Sequence, residues 1–525
     1  MRFLTYSKKN MKRILPSAIH RHLYRSRVST ATDSFEASTN ELPSFTIEEE
    51  HSRIKEFSEI PGPKPLPVIG NIWRYLPVIG EYDPNRQHIN YEKMYREYGS
   101  IVKEVVIGKR IVVHLFDPND METLYRNEGR YPSRLSHRAL LKYRKERPHL
   151  YNNGGLFPSN NEEWHRLRQA FQRSLLHSSI INEYISPLQE LSEDVIGKIK
   201  KIRNSQNQVD DFQKDLYKWA IECTGIITLN RRLGCIEKGL CTEEEINNLV
   251  KSAGDTHQAV MITENGLPLW QLFPTAAYRS LVHAQDVMTK ILKRFLEKSK
   301  NETECKSAIL NRFMSMPNID EKDIFAMILD MFLAGIDTTA YSAAFTLYHL
   351  ARNQECQKIL QKELKSKLPS KTSEISAETL KSLPYLKACI KESMRLNPIA
   401  IGTGRILPKD LIVSNYRLPA KTMVIAHHQV ACRQFQNFPD ALSFRPERWL
   451  RNDFRNTIHP FLVLPFGYGP RMCIGRRFAE LELYILVSKI FRHFNLEYHW
   501  EDIDCFTRLI NVPDKQLRLK FIDTD

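Results

Sequence analysis

Residues 464–480 read Leu464-Pro465-Phe466-Gly467-Tyr468-Gly469-Pro470-Arg471-Met472-Cys473-Ile474-Gly475-Arg476-Arg477-Phe478-Ala479-Glu480. Gly467 and Gly469 allow the tight backbone that can aim amide N–H groups at a sulfur. An amphipathic stretch begins at Cys473, which puts that sulfur at the amino end of a helix covering residues 474–493. The helix dipole and its free N–H groups favour a thiolate, the form that ligates metal. Gly475 removes a side chain where a flat group must approach, and Arg471 is placed to meet a carboxylate. A lone cysteine before a helix is ordinarily a buried core residue. The string Phe-x-x-Gly-x-Arg-x-Cys-x-Gly is far more specific than that.

Around this loop the 525 residues, 42% of them hydrophobic, are ample for a large core, and no repeat or low-complexity linker divides them. Amphipathic helical stretches recur at 181–203, 280–300, 320–352, 355–367, 384–396 and 476–493. Strands are few and short. Val102–Val106 and Ile111–Leu115 read as a hairpin, β-prone runs reappear over Leu411–Ile425, and Thr507–Phe521 suggests another hairpin. The pattern predicts one domain over 60–525, mainly α with small β-sheets. No run of about 18 apolar residues is present, so no spanning helix is expected.

The net charge is +15, and much of it is local. Residues 1–32 hold eight Lys or Arg and no acidic residue, the composition of a mitochondrial presequence. Residues 33–59 are polar and acidic, a flexible leader, followed by the stiff Pro61–Pro67 segment. The nine cysteines are scattered without a CxxC pair, which fits a reducing compartment. Charge alone would also suit nucleic acid, but no nucleic-acid motif accompanies it.

Three further constellations stand out. Glu392 and Arg395 are three apart on a helix ended by Asn397-Pro398 and can pair; alone, they would be an ordinary surface ion pair. Ala334-Gly335-Ile336-Asp337-Thr338-Thr339 places Gly and Thr inside a helix, where they are locally unfavourable; a packing notch is the plain explanation. Trp164 and Arg168 share a helix face, and Arg405 follows the Glu392 helix. Lys387 and Lys391, with Arg476 and Arg477, make a basic face that by default is merely solvated.

Taken together, these motifs resemble the cytochrome P-450 family, and the resemblance covers nearly everything after the proline segment. It implies haem b (iron protoporphyrin IX) held between a distal helix (residues 320–352) and a proximal helix (residues 474–493). Cys473 would be the axial thiolate to iron, with Phe466 beside the sulfur. Trp164, Arg168, Arg405 and Arg471 would cradle the two propionates. Glu392 and Arg395 would form a buried structural triad with Arg448 of the segment Phe444–Trp449. Asp337 and Thr338 would relay protons during oxygen activation, which argues against a haem-binding sensor without turnover. The lysine pair and Gly475-Arg476-Arg477 resemble the mitochondrial class, whose basic face docks an adrenodoxin-like [2Fe–2S] ferredoxin served by an NADPH-dependent ferredoxin reductase. Such a protein would sit peripherally on the matrix side of the inner membrane. Tyr131–His137 through Leu156–Ser159, Gly404–Leu407, Val430–Arg433 and Phe461–Phe466 resemble insect mitochondrial ecdysteroid 22-hydroxylases, implying a small lipophilic steroid and O2 as substrates. Gly475 is a departure, because such sequences can carry Ala there. The alternative within the family is a mitochondrial enzyme oxidising xenobiotics or another lipophilic compound. Substrate-facing candidates are Ala334, the loop 136–157, Ile399 to Thr403 and Leu509-Ile510.

Overall fold

The computed structural model describes residues 53–525 apart from 77, 108–109, 135, 238, 302–307, 451–457 and 525. The expected presequence, and the leader up to residue 52, lie outside them. The chain opens with α1 (Gln87–Tyr98), the hairpin β1 (Ile101–Val105) and β2 (Ile111–Leu115), α2 (Pro118–Arg126) and α3 (Arg138–Lys145). Helices α4 (Asn161–Leu176), α5 (Ser178–Glu183) and α6 (Ile185–Ile202) follow, then β3 (Gln208–Val209), α7 (Gln213–Leu229) and α8 (Glu243–Asn265). Next come α9 (Ala276–Asn301), α10 (Ala308–Met314), α11 (Glu321–Arg352), α12 (Gln354–Lys367), α13 (Ala377–Lys381) and α14 (Pro384–Leu396). The last part holds β4 (Thr403–Ile406), β5 (Leu411–Val413), β6 (Tyr416–Leu418), β7 (Met423–Ala426), α15 (His428–Cys432) and α16 (Arg476–His493). It ends with β8 (Phe494–Glu497), β9 (Cys505–Arg508), β10 (Ile510–Pro513) and β11 (Leu519–Asp523).

Helix α11 is the axis of the core. The Asp320 carboxylate caps it by accepting from Asp323 N–H, and the helix packs against α7, α8, α14 and α16. Among the described residues it is the one helix long and apolar enough to cross a bilayer, which corrects the expectation that no segment qualifies. However, 78% of its apolar window is buried inside the protein, as in a soluble core helix. Gly335 is indeed a packing notch, because a Cβ there would lie 2.9 Å from Thr224 Oγ1 on α7.

The main sheet runs β1-β2-β7-β4, with β2 and β7 parallel and the other pairs antiparallel. It carries Arg405 on β4 to a bridge between Ile406 and Ser133. The hairpin expected in Thr507–Phe521 is shorter and earlier. β9 and β10 pair around Leu509, whose φ is 68°, while β11 leaves to pair with β8 and β3. Buried Leu519 and Phe521 account for that departure, since they alternate on one face over Phe494 and Leu496. Lys55, from the expected leader, bridges to Tyr416, and Phe57–Glu59 forms a short 3-10 turn.

Candidate active site

The cysteine loop is closed by its own backbone. Cys473 N–H donates to Phe466 O (2.8 Å) and Met472 N–H to Gly469 O (3.0 Å). Gly467 and Gly469 both have φ 73°, the left-handed region. Gly469 is also irreplaceable for space, because a Cβ would fall 1.9 Å from Glu128 Oε1. Helix α16 starts at Arg476 rather than at 474, with Gly475 as its amino cap. The sulfur therefore lies just ahead of the helix, where the Gly475 N–H reaches it. Burial raises the Cys473 thiol above its usual range, opposed by that N–H and by Arg168 and Arg476. Yet the residue's surface is open, and a Cβ on Gly475 would meet nothing within 4 Å.

Beside it sits a cluster of arginines. Arg471 donates from Nε to Pro132 O (2.8 Å), and from Nη2 to Ser159 O (2.8 Å) and Asn160 Oδ1 (2.9 Å). Its guanidinium lies 4.1 Å from the buried Trp164 ring centre, a cation–π contact. Nη1 is buried without a partner. Burial, reinforced by Arg134, Arg405 and Arg168, pushes this arginine down to about 8. Arg134, which sequence reasoning did not single out, is pushed down to about 10 by burial, and its Nε also lacks a partner. Arg168 braces the loop instead, donating to Met472 O (2.8 Å). Arg405 pairs with Glu128, an acid no motif identified, and also bonds Tyr468 O (3.4 Å). Four arginines against one glutamate, with two bare donors, call for a ligand carrying carboxylates.

On α11 the half-accessible residues Met331, Ala334, Gly335 and Thr338 fall on one stripe of an otherwise buried stretch. Thr338 Oγ1 donates to Ala334 O (2.5 Å). Asp337, the neighbouring residue, is turned off the stripe and bonds His257 on α8. Thr339 faces Glu482 on α16, whose carboxyl burial pushes up to about 8.

Glu392, Arg395 and Arg448 do meet. Arg395 grips the Glu392 carboxylate with Nε and Nη2, both at 2.8 Å, and Arg448 Nε reaches Oε1 at 3.2 Å. Trp449 Nε1 (2.9 Å) and Arg445 N–H (3.0 Å) also donate to it. Arg395 continues to the carbonyls of Cys432 and Ala441, so α14 clasps the strand-poor segment after α15. Lys387 on α14 lies over Tyr484 of α16, and Lys391 over Trp449. Arg476 and Arg477 are exposed, although Arg476 is paired with Glu480 at 3.0 Å.

A mainly helical fold, an exposed thiol at the amino end of α16 and a carboxylate-seeking arginine cradle are the marks of a haem-thiolate enzyme. The sequence matches the model of the cytochrome P450 family over residues 60–521, and the chain belongs to that family. A mitochondrial cytochrome P450 of Drosophila melanogaster, 302a1, is 37% identical over 468 residues, covering 88% of this chain and 94% of its own length. The mitochondrial 1,25-dihydroxyvitamin D(3) 24-hydroxylase of Mus musculus is 32% identical over 473 residues, 89% of each chain. A probable mitochondrial P450 of Drosophila melanogaster, 301a1, is 31% identical over 502 residues, 93% of this chain and 90% of its own.

The protein is accordingly a cytochrome P450 monooxygenase with haem b as cofactor. The residues present fit that group. Cys473 would hold the iron, Arg471 and Arg134 have bare donors for propionates, and Gly475 leaves room for the ring. When bound, a haem held by the Cys473 thiolate would supply the chemistry of O2 activation. The chain's own contribution would be to orient that group by Arg134, Arg168, Arg405 and Arg471, with Asp337 and Thr338 on α11 as its protonable and hydroxyl side chains.

Proposed function

We propose that this protein hydroxylates carbon 22 in the side chain of an ecdysteroid precursor, a step in ecdysone (moulting hormone) biosynthesis. The observation that carries the proposal is segmental. Residues 131–137, 156–159, 404–407, 430–433 and 461–466 resemble the insect ecdysteroid 22-hydroxylase known as disembodied. Insect mitochondrial P450s stand among the relatives, and one mouse relative is named for hydroxylating 1,25-dihydroxyvitamin D(3) at position 24. Two of the candidate substrate-facing segments lie together. Asn511 N–H donates to Ile399 O (2.9 Å), Leu509 N–H reaches Met261 Sδ on α8 (3.4 Å), and Ala334 lies on the accessible stripe of α11. Such an apolar lining suits a neutral steroid.

The mitochondrial names of the relatives support a mitochondrial location. Electrons then come from an adrenodoxin-like [2Fe–2S] ferredoxin and its NADPH-dependent reductase, docked on Lys387, Lys391, Arg476 and Arg477. Peripheral seating on the inner membrane, from the matrix side, is supported by exposed apolar residues. Val68, Val78 (94% exposed) and Ile79 lie in the segment whose Asn71 N–H bonds Val105 O. Leu267, Leu272 (83% exposed) and Phe273 follow α8, tied to the same hairpin region by Arg110 donating to Glu264 O (2.8 Å). Incubating the purified protein with a 22-deoxyecdysteroid, NADPH, ferredoxin and reductase should yield the 22-hydroxy product by mass spectrometry. Turnover of unrelated lipophilic compounds with no 22-hydroxylation would overturn the substrate assignment.

A further inference from the structure

The Asp337 carboxylate is 3% exposed, and its partner is Nδ1 of His257 on α8, 3.0 Å away. Successive residues on a helix point about 100° apart, so Asp337 cannot share the direction of Thr338. Thr338 meanwhile keeps its hydroxyl on Ala334 O. The acid carried on α11 is therefore tied by its side chain to α8. The surroundings are polar in an otherwise apolar core. One turn further along α11, Tyr341 shares a 2.5 Å hydrogen bond with Tyr217 of α7. Burial raises both phenols, the negative charge of Asp337 raises them further, and Arg508 opposes it. From the start of α3, the buried His137 ring lies close enough to sense His257. A buried carboxylate without a donor would be costly, and the imidazole supplies one.

We infer that His257 is a positioning residue for Asp337, holding its carboxylate between α8 and α11 so that proton hand-over toward Thr338 depends on where α8 sits. This rests on the Asp337–Thr338 pair being the proton path. A proton passed on from the protonated acid leaves a carboxylate that stays bonded to the imidazole and takes up a solvent proton, the H+ that the NADPH-driven reaction consumes, so the step balances.

The test compares wild type with His257→Phe, His257→Gln and Asp337→Asn as full-length, haem-loaded proteins, each first checked for the thiolate-type reduced-CO spectrum. Peroxide released per NADPH consumed is measured with ferredoxin, reductase and a 22-deoxyecdysteroid. His257→Phe should release several-fold more peroxide, and His257→Gln, which keeps one N–H donor, should restore most of the coupling. Independently of turnover, His257→Phe and Asp337→Asn should each lower the melting temperature, and the double variant should fall no further than the worse single one. Wild-type coupling in His257→Phe, a Gln variant as leaky as Phe, or additive melting losses would overturn the inference. If Asp337→Asn is leaky while His257→Phe is tight, the inference alone falls; if Asp337→Asn stays coupled, the proton path falls with it.

Discussion

Arg471 has three contacts to backbone and Asn160 and a fourth donor that meets nothing, while Cys473, two residues on, is exposed. Both were legible as motif members because local spacing carries them. Their partners were not. Glu128 and Arg134 join the cradle only through tertiary contacts, and no periodicity marks an acid that must sit 1.9 Å from a hypothetical side chain on Gly469. At this scale Cys473→Ala should leave a folded protein that lacks the thiolate-type reduced-CO band, read by difference spectroscopy. Glu482 yields a pH prediction. Its carboxyl is raised from 4.5 to about 8 by burial, so between those values the unfolded chain gives up a proton that the native state keeps. Stability therefore falls as pH rises through that window, and Glu482→Gln should flatten the fall in denaturant titrations run from pH 5 to 8.

Helices with one apolar stripe announced themselves: α12, α14 and α16 begin or end within a residue or two of their amphipathic patterns. α7 did not, because nearly every residue from Trp219 to Leu229 is buried and no stripe remains to detect. The β1–β2 hairpin was local and readable, whereas the parallel β2–β7 pairing joins strands about 310 positions apart in sequence and left no local mark. The clasp made by α14 is an element-scale device. Arg395→Ala leaves the Glu392 carboxylate buried against a single cationic partner, and should cost about 3–5 kcal/mol in urea unfolding. The same helix presents Lys387 and Lys391 outward beside α16. Exchanging both for Gln should weaken ferredoxin binding several-fold and reduce its salt dependence, while a steroid-induced spectral shift stays unchanged.

For the whole chain, the acid-free residues 1–32 predict delivery: residues 1–40 fused to a fluorescent reporter should carry it into mitochondria, observed by microscopy against a matrix marker. Inside the fold, the bonds from Arg471 to Pro132 and from Arg168 to Met472 join positions 339 and 304 residues apart. Neither bond can form until these far-apart stretches have been brought together. A pigment seated in the cradle would act as a rivet through stretches that the chain itself keeps hundreds of positions apart, so its loss should loosen regions far from the sulfur.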